Sequence, residues 1–236
     1  MLKKFSPQMI GRAYGIIRTH FSPIKTKTPL IHGPCLVLGS APKPSVPVGF
    51  DEAWTFMTVN ASQSSVQHWK FSPSFTIMSD QMFGDRPVNL EGKEAVKGRR
   101  TGRLILIKRG YPVSETIKKL QALNYRYDEL IVIGHWERSH IAHKVLGGYV
   151  AIGMGEQKIS TGIFAAIMAY FLGAAPVVLS GFSFSVHGHA YNEFKRERSH
   201  IHIDQAALSI TQKKGLPFYA ADAEFSFESG LPEWKG

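Results

Sequence analysis

The chain has 236 residues, 44% of them apolar, with 22 Gly, 13 Pro and a formal net charge of +10. That is enough for one large α/β domain or two small ones. The lone cysteine, Cys35, excludes an internal disulfide, and no uninterrupted apolar run reaches the roughly 18 residues that a membrane-spanning helix needs. The charge favours acidic partners (nucleotides, acidic sugars, anionic lipid or nucleic acid) without choosing among them.

Residues 1–34 read as a basic N-terminal helix followed by a linker. Phe5, Met9, Ile10, Tyr14, Ile16 and Ile17 are scattered among cations, and three prolines lie between Phe21 and Pro34. The start lacks the continuous apolar core of a signal peptide. The expected location is therefore cytoplasmic, with a peripheral contact at the inner face of a membrane through the basic start. Residues 35–236 read as one domain.

Within that domain, Cys35-Leu-Val-Leu-Gly39 predicts a buried strand with Cys35 as a small core residue. Three prolines between Pro42 and Pro47 exclude a helix. Further strands are predicted at 53–59, 74–79, 103–109, 130–133, 177–181 and 218–220. Helices are predicted at 62–70, at 114–123 with Ser114 as N-cap, at 161–172, and from an Asp204 cap to about Gly215. Residues 81–102 carry four scattered glycines and the cluster Lys97-Gly-Arg-Arg-Thr-Gly-Arg103, and read as an irregular insertion. Residues 137–148 fit no single pattern. Apolar strands alternating with helices predict a single Rossmann-like domain whose mostly parallel sheet is flanked by helices.

In such a sheet, ligands bind beyond the carboxyl ends of the strands. Gly39-Ser40 closes the first strand, where glycine permits a sharp turn and free amides can face a phosphate. The spacing is neither a dinucleotide fingerprint nor a P-loop. Asn60 ends the second strand, and its amide offers paired donors and acceptors to a base or sugar. Ser160-Thr161-Gly162 opens an apolar helix: Ser160 or Thr161 can cap it, and Gly162 lets an anion approach its free amides. Phe182 follows the next strand. His187, His189, Tyr191, Asn192, His200, His202 and Asp204 then fall within eighteen residues, holding four of the ten histidines. Imidazole near neutral pH suits acid–base work. Neither a cysteine nor a metalloprotease pattern accompanies these histidines, so no metal site is expected.

Four islands in this order resemble the bacterial sialyltransferases of glycosyltransferase family 42 and, more distantly, the animal enzymes of family 29. They are Leu36-Val-Leu-Gly-Ser-Ala-Pro42, the stretch from Asp51 to Asn60, Ile159-Ser-Thr-Gly-Ile with the Gly-Phe-Ser-Phe that follows its helix, and His189-Ala-Tyr191 with His200-x-His202-x-Asp204. The family turn usually carries Asn where this chain has Ser40.

The resemblance implies a GT-A-variant-like fold and metal-independent transfer of sialic acid or a related acidic sugar from a CMP-sugar to a glycan or glycolipid hydroxyl, with no cofactor. Gly39, Ser40, Asn60, Ser160, Thr161, Gly162, Phe182 and His189 would hold the donor. Tyr191 would meet the departing phosphate, and His200, then His202, would be the base. Two other readings compete. One is a pterin diphosphokinase-like enzyme with Asp80 on magnesium and ATP. The other is a non-catalytic binding domain that uses Arg99, Arg100, Arg103, Lys108 and Arg109 to hold acidic glycan or nucleic acid. No RNA-binding aromatic motif accompanies those cations, and nucleic acid is not an expected partner.

Overall fold

The short apolar runs assemble into one parallel sheet because they are apolar on both faces, and such strands need cover on both sides. The computed structural model describes residues 31–147, 158–186, 188, 190–191 and 200–236. The expected N-terminal helix and its membrane contact, and His187, His189 and Asn192, lie outside the described residues.

Seven strands, β1 (Cys35–Leu38), β2 (Thr55–Val59), β3 (Phe75–Ser79), β4 (Arg100–Ile107), β5 (Arg126–Ile133), β6 (Val177–Ser180) and β7 (Phe218–Ala220), lie in the order β5-β4-β3-β2-β1-β6-β7. Every pairing is parallel, so all carboxyl ends meet at one edge. The helices are α1 (Pro87–Val96), α2 (Val113–Ala122), α3 (His135–Leu146), α4 (Thr161–Phe171), α5 (Ile201–Lys213) and α6 (Ala223–Ser229), with 3-10 turns at Ser62–Val66 and Asp80–Phe83.

Alternate strand residues divide the core. Cys35, Val37, Met57, Ile77, Ile105 and Leu179 face α3, α4 and α5. Burial pushes the Cys35 thiol well up from its ordinary range, as fits a core residue. On the other face, Met78, Leu104 and Leu106 pack under α1 and α2. Further along that face the cover is aromatic. Phe50, Trp54, Trp69 and Phe71 pack against Leu36, Leu38 and Phe56. Phe50 and Phe71 have centroids 4.7 Å apart, and Trp234 meets both Trp54 and Tyr219 edge-on.

The structure corrects the sequence reading at several places. The supposed insertion contains α1, because Pro87 occupies the first turn, where a missing N–H costs nothing. The strand expected at 103–109 begins at Arg100 and ends at Ile107. Its cations are cross-strand partners: Arg100 pairs with Asp128 at 3.3 Å and Arg103 with Glu129 at 2.7 Å. The stretch from Glu137 to Leu146 belongs to α3, whose first half buries Arg138, Ser139 and His140 and so shows no apolar stripe. The helix expected at 62–70 is only a 3-10 turn, and α2 begins one residue before Ser114. Asp204 does not cap α5; it lies inside the first turn with His200 at the N-cap. No helix among the described residues is long and apolar enough to cross a membrane.

Candidate active site

The chain leaves β1 toward β2 and leaves β6 toward β7, so the sheet order switches direction between these neighbours, the place where sheets of this kind take ligands at their carboxyl ends. Gly39 and Gly181 interlock there. A Cβ on Gly39 would lie 2.4 Å from the carbonyl oxygen of Gly181, and Gly181 itself has φ +67°. The amide of Gly39 donates to the Ser180 carbonyl at 2.8 Å, and that of Ala41 to Gly181 at 2.7 Å. These two amides are therefore spent on β6, not left free for a phosphate.

The segment after β6 crosses this edge. The amide of Ala190 donates to the Ser40 carbonyl at 2.7 Å, and the Tyr191 ring packs toward Met82 and Gly92. Asn60, in the left-handed region at φ +50°, joins β2 to β3: its Oδ1 accepts the Ser79 amide at 3.1 Å. Its Nδ2 donors carry no hydrogen bond among the described residues and remain for a ligand.

The start of α4 explains each residue of Ser-Thr-Gly separately. Ser160 is the cap, its Oγ accepting the Ile163 amide at 3.1 Å. The amides of Thr161 and Gly162 make no hydrogen bond among the described residues, so the positive end of the helix is open. The bare Cα of Gly162 admits an aromatic ring: a Cβ there would lie 2.8 Å from Phe182 Cε1. Phe182 also touches Gly39 and stacks on Phe225 at 5.6 Å. It is a wedge between the β1 turn and the α4 start.

Four basic groups lie near that helix start: Arg109 beyond β4, His135 beyond β5, Arg138 in the first turn of α3, and Lys158. Arg138 is 6% exposed, and its guanidinium stands 4.9 Å from the Phe164 ring centroid. Burial, then Arg109 and Arg138, push the half-buried Lys158 ammonium down to about 8. Burial and Arg109 lower Arg138 to about 10, against a raising pull from Asp204. Burial and then Arg138, Arg109 and Lys158 hold the His135 imidazole below its ordinary value. Burial is the largest cause in each case, and the further lowering comes from like-charged or basic neighbours sharing one space, with Asp204 offsetting it only at Arg138.

The acids at this edge are already engaged. Asp80 Oδ2 accepts the amides of Arg109, Gly110 and Tyr111 at 2.7, 2.8 and 3.0 Å. Asp204 accepts the Ser160 amide at 2.8 Å, and Glu137 accepts the Gly134 amide at 3.1 Å. Glu228 holds Ser183, Phe184 and Ser185. None of the four basic groups forms an ion pair among the described residues. The arrangement is suited to an anion.

The same geometry bears on the two competing readings. Asp80 is 1% exposed, and its Oδ2 is taken up by three amides of the loop after β4, a structural role that accounts for a buried acid at this place. No group of three potential metal ligands occurs among the described residues. The basic face is divided: Arg100 and Arg103 are neutralised by β5, and the Arg99 side chain donates to the Ala95 carbonyl.

Of the expected site residues, Ser40, Asn60, Ser160, Thr161, Gly162, Phe182 and Tyr191 all lie along the carboxyl edge. His200, half-buried, precedes α5 one turn before Asp204, which reaches the α4 start. His202 is exposed, about 200° around the helix from His200. The sequence reading missed Arg109, His135, Arg138 and Lys158 as a group. The available signal was a lysine two residues before a capping serine, and a His-Trp-Glu-Arg run directly after a strand.

No protein-family model and no curated protein matches this sequence. Solved structures do match. The monofunctional α-2,3-sialyltransferase Cst-I of Campylobacter jejuni superposes with a TM-score of 0.55 at 11% identity, over 91% of this chain and 83% of that one. The sialyltransferase CST-II, in complex with a trisaccharide acceptor and CMP, gives 0.54 at 13% identity over 86% and 87%. CstII of Campylobacter jejuni with the substrate analogue CMP-3FNeuAc gives 0.54 at 12% over 85% and 86%. At such identities the likeness is one of fold: this chain has the architecture of these sialyltransferases along most of its length.

Proposed function

We propose that the protein is a glycosyltransferase that moves sialic acid or a related acidic sugar from a CMP-sugar to a hydroxyl of a glycan acceptor. One observation carries the reading. Arg109, His135, Arg138 and Lys158 gather around the open start of α4 and form no ion pair among the described residues. A CMP-activated acidic sugar brings two anionic groups, a phosphate and a carboxylate, and each charge-assisted hydrogen bond it gains there is worth roughly 1.5–3 kcal/mol. The fold supports the same reading, because its structural neighbours are sialyltransferases solved with CMP, a CMP-sugar analogue and an oligosaccharide acceptor.

In this reading Lys158 and the α4 amides take the phosphate or carboxylate and stabilise the charge that develops as the bond to the sugar breaks. Asn60 Nδ2 meets the nucleoside. Tyr191, held over the same edge, faces the departing phosphate. His200 takes the proton of the acceptor hydroxyl as the new bond forms. The acid–base work needs no metal.

Thermal melting against CMP, UMP, GDP, and ATP with magnesium tests the donor class, since a ligand specific to the folded state raises the melting temperature. A CMP-selective rise without metal is expected. A rise only with ATP and magnesium would overturn the reading. His200→Ala is expected to retain CMP binding and lose transfer from a CMP-sugar.

A further inference from the structure

The peptide group joining Ile159 to Ser160 is gripped at both ends by buried charges from two different helices. Arg138 Nη2, from α3, donates to the Ile159 carbonyl at 2.6 Å and reaches the Ser160 carbonyl at 3.3 Å. Asp204 Oδ1, from α5, accepts the N–H of Ser160 at 2.8 Å. Both residues are 6% exposed. The positive group sits on the oxygen end of the peptide dipole and the negative group on the nitrogen end. Both interactions are favourable, and together they fix the direction of the peptide plane.

Asp204 does not cap its own helix, and Arg138 forms no ion pair among the described residues. Burying one such ion costs several kcal/mol. Here two of them meet at one peptide group. Immediately before that group is Lys158, and immediately after it is the cap of α4.

We infer that Arg138 and Asp204 are a pair of positioning residues that clamp the 159–160 peptide and thereby hold Lys158 and the open amides of α4 in one anion-binding arrangement. The inference rests on the proposed donor reading for what the arrangement binds, but not for whether the clamp exists. Asp204 carries a second consequence. His200 lies one turn before it on α5, with the Asp204 amide bonded to the His200 carbonyl at 2.9 Å. The same carboxylate therefore ties the helix start bearing His200 to the helix start that meets the anion.

The test uses the full chain with its lysines carrying 13C-methyl groups, the Lys158 resonance being assigned by its loss in Lys158→Arg. Titration in the unliganded protein reports where the ammonium sits. The parent protein is expected to show a midpoint of about 8 at Lys158. In Asp204→Ala, a released Lys158 regains water and moves away from Arg109 and Arg138, and its midpoint climbs toward the ordinary 10.5. Loss of the carboxylate charge at fixed geometry would act in the opposite sense, leaving Arg138 less balanced. A midpoint at or below the parent value in Asp204→Ala therefore overturns the clamp.

Asp204→Asn keeps an acceptor oxygen and removes the charge, so it should hold the peptide and leave the midpoint at or below the parent value. A climb toward 10.5 in that variant would also overturn the clamp, and it decides the question alone if the alanine variant does not fold. CMP binding by calorimetry runs alongside. Asp204→Ala should bind CMP about tenfold more weakly, with Asp204→Asn within about twofold of the parent. A parent protein that fails to bind CMP refutes the donor reading, while the lysine titration still decides the clamp.

Discussion

The two flanks of the carboxyl edge hold their loops by opposite means. At β1 and β6 the work is done by absence of side chain: Gly39 and Gly181 let two backbones lock together, and Phe182 fills the remaining space against Gly162. At β4, β5 and the start of α4 it is done by charge. Carboxylates on amides hold the loops, and the basic groups that remain form no ion pair among the described residues. The first flank is a rigid neutral hinge line. The second is frustrated until an anion arrives. Rigidity and binding thus reside in different parts of one edge, and they can be perturbed separately.

Gly39→Ala strikes the neutral flank hardest. Its Cβ would face a backbone carbonyl, which cannot rotate away as a side chain can, so β1 and β6 must part. The expected loss is about 3 kcal/mol, read from the urea midpoint. A loss below about 0.5 kcal/mol would mean that the two loops are not locked. Lys158→Met strikes the charged flank and should do the reverse. Unliganded stability should hold or rise, because a half-buried cation leaves a group of cations, while CMP affinity falls by about 2 kcal/mol, some thirtyfold by calorimetry. Equal affinity in the variant would remove Lys158 from the site.

The smallest effect is with pH. The Lys158 midpoint is lowered in the folded protein, so between about 8 and 10.5 the unfolded chain holds more protons there. Unliganded stability should therefore gain a contribution as pH rises through that window. CMP affinity should weaken over the same rise, as the ammonium is lost. Lys158→Met should flatten both dependences. Parallel trends in stability and affinity would contradict the assignment of the titrating group.

Much of this was legible beforehand. The strands β1, β2, β3, β6 and β7 and the helix α4 stand out as apolar runs with clear punctuation, and a cap at Ser160 or Thr161 was readable from the place before an apolar helix, the structure choosing Ser160. What escaped did so for physical reasons. The helix α1 begins on a proline and contains a glycine, both of which read as interruption. The helix α3 buries Arg138, Ser139 and His140 in its first half, erasing the stripe by which a helix is recognised. Asp204 looked like a cap because an acid in a first turn has the same sequence signature whether it serves its own helix or a neighbouring one. The cationic group joins residues from 109 to 158, and no local pattern links them.

The placement of the tryptophans has a practical consequence. Three of the four, Trp54, Trp69 and Trp234, belong to the aromatic cover on the far face of the sheet. Only Trp136 stands beside the cationic group, with its ring 5.5 Å from that of His135. An imidazolium quenches indole emission, and an anion bound nearby would favour that protonated form. With phenylalanine at the other three positions, the fluorescence of Trp136 becomes an internal gauge of whether the cleft is filled.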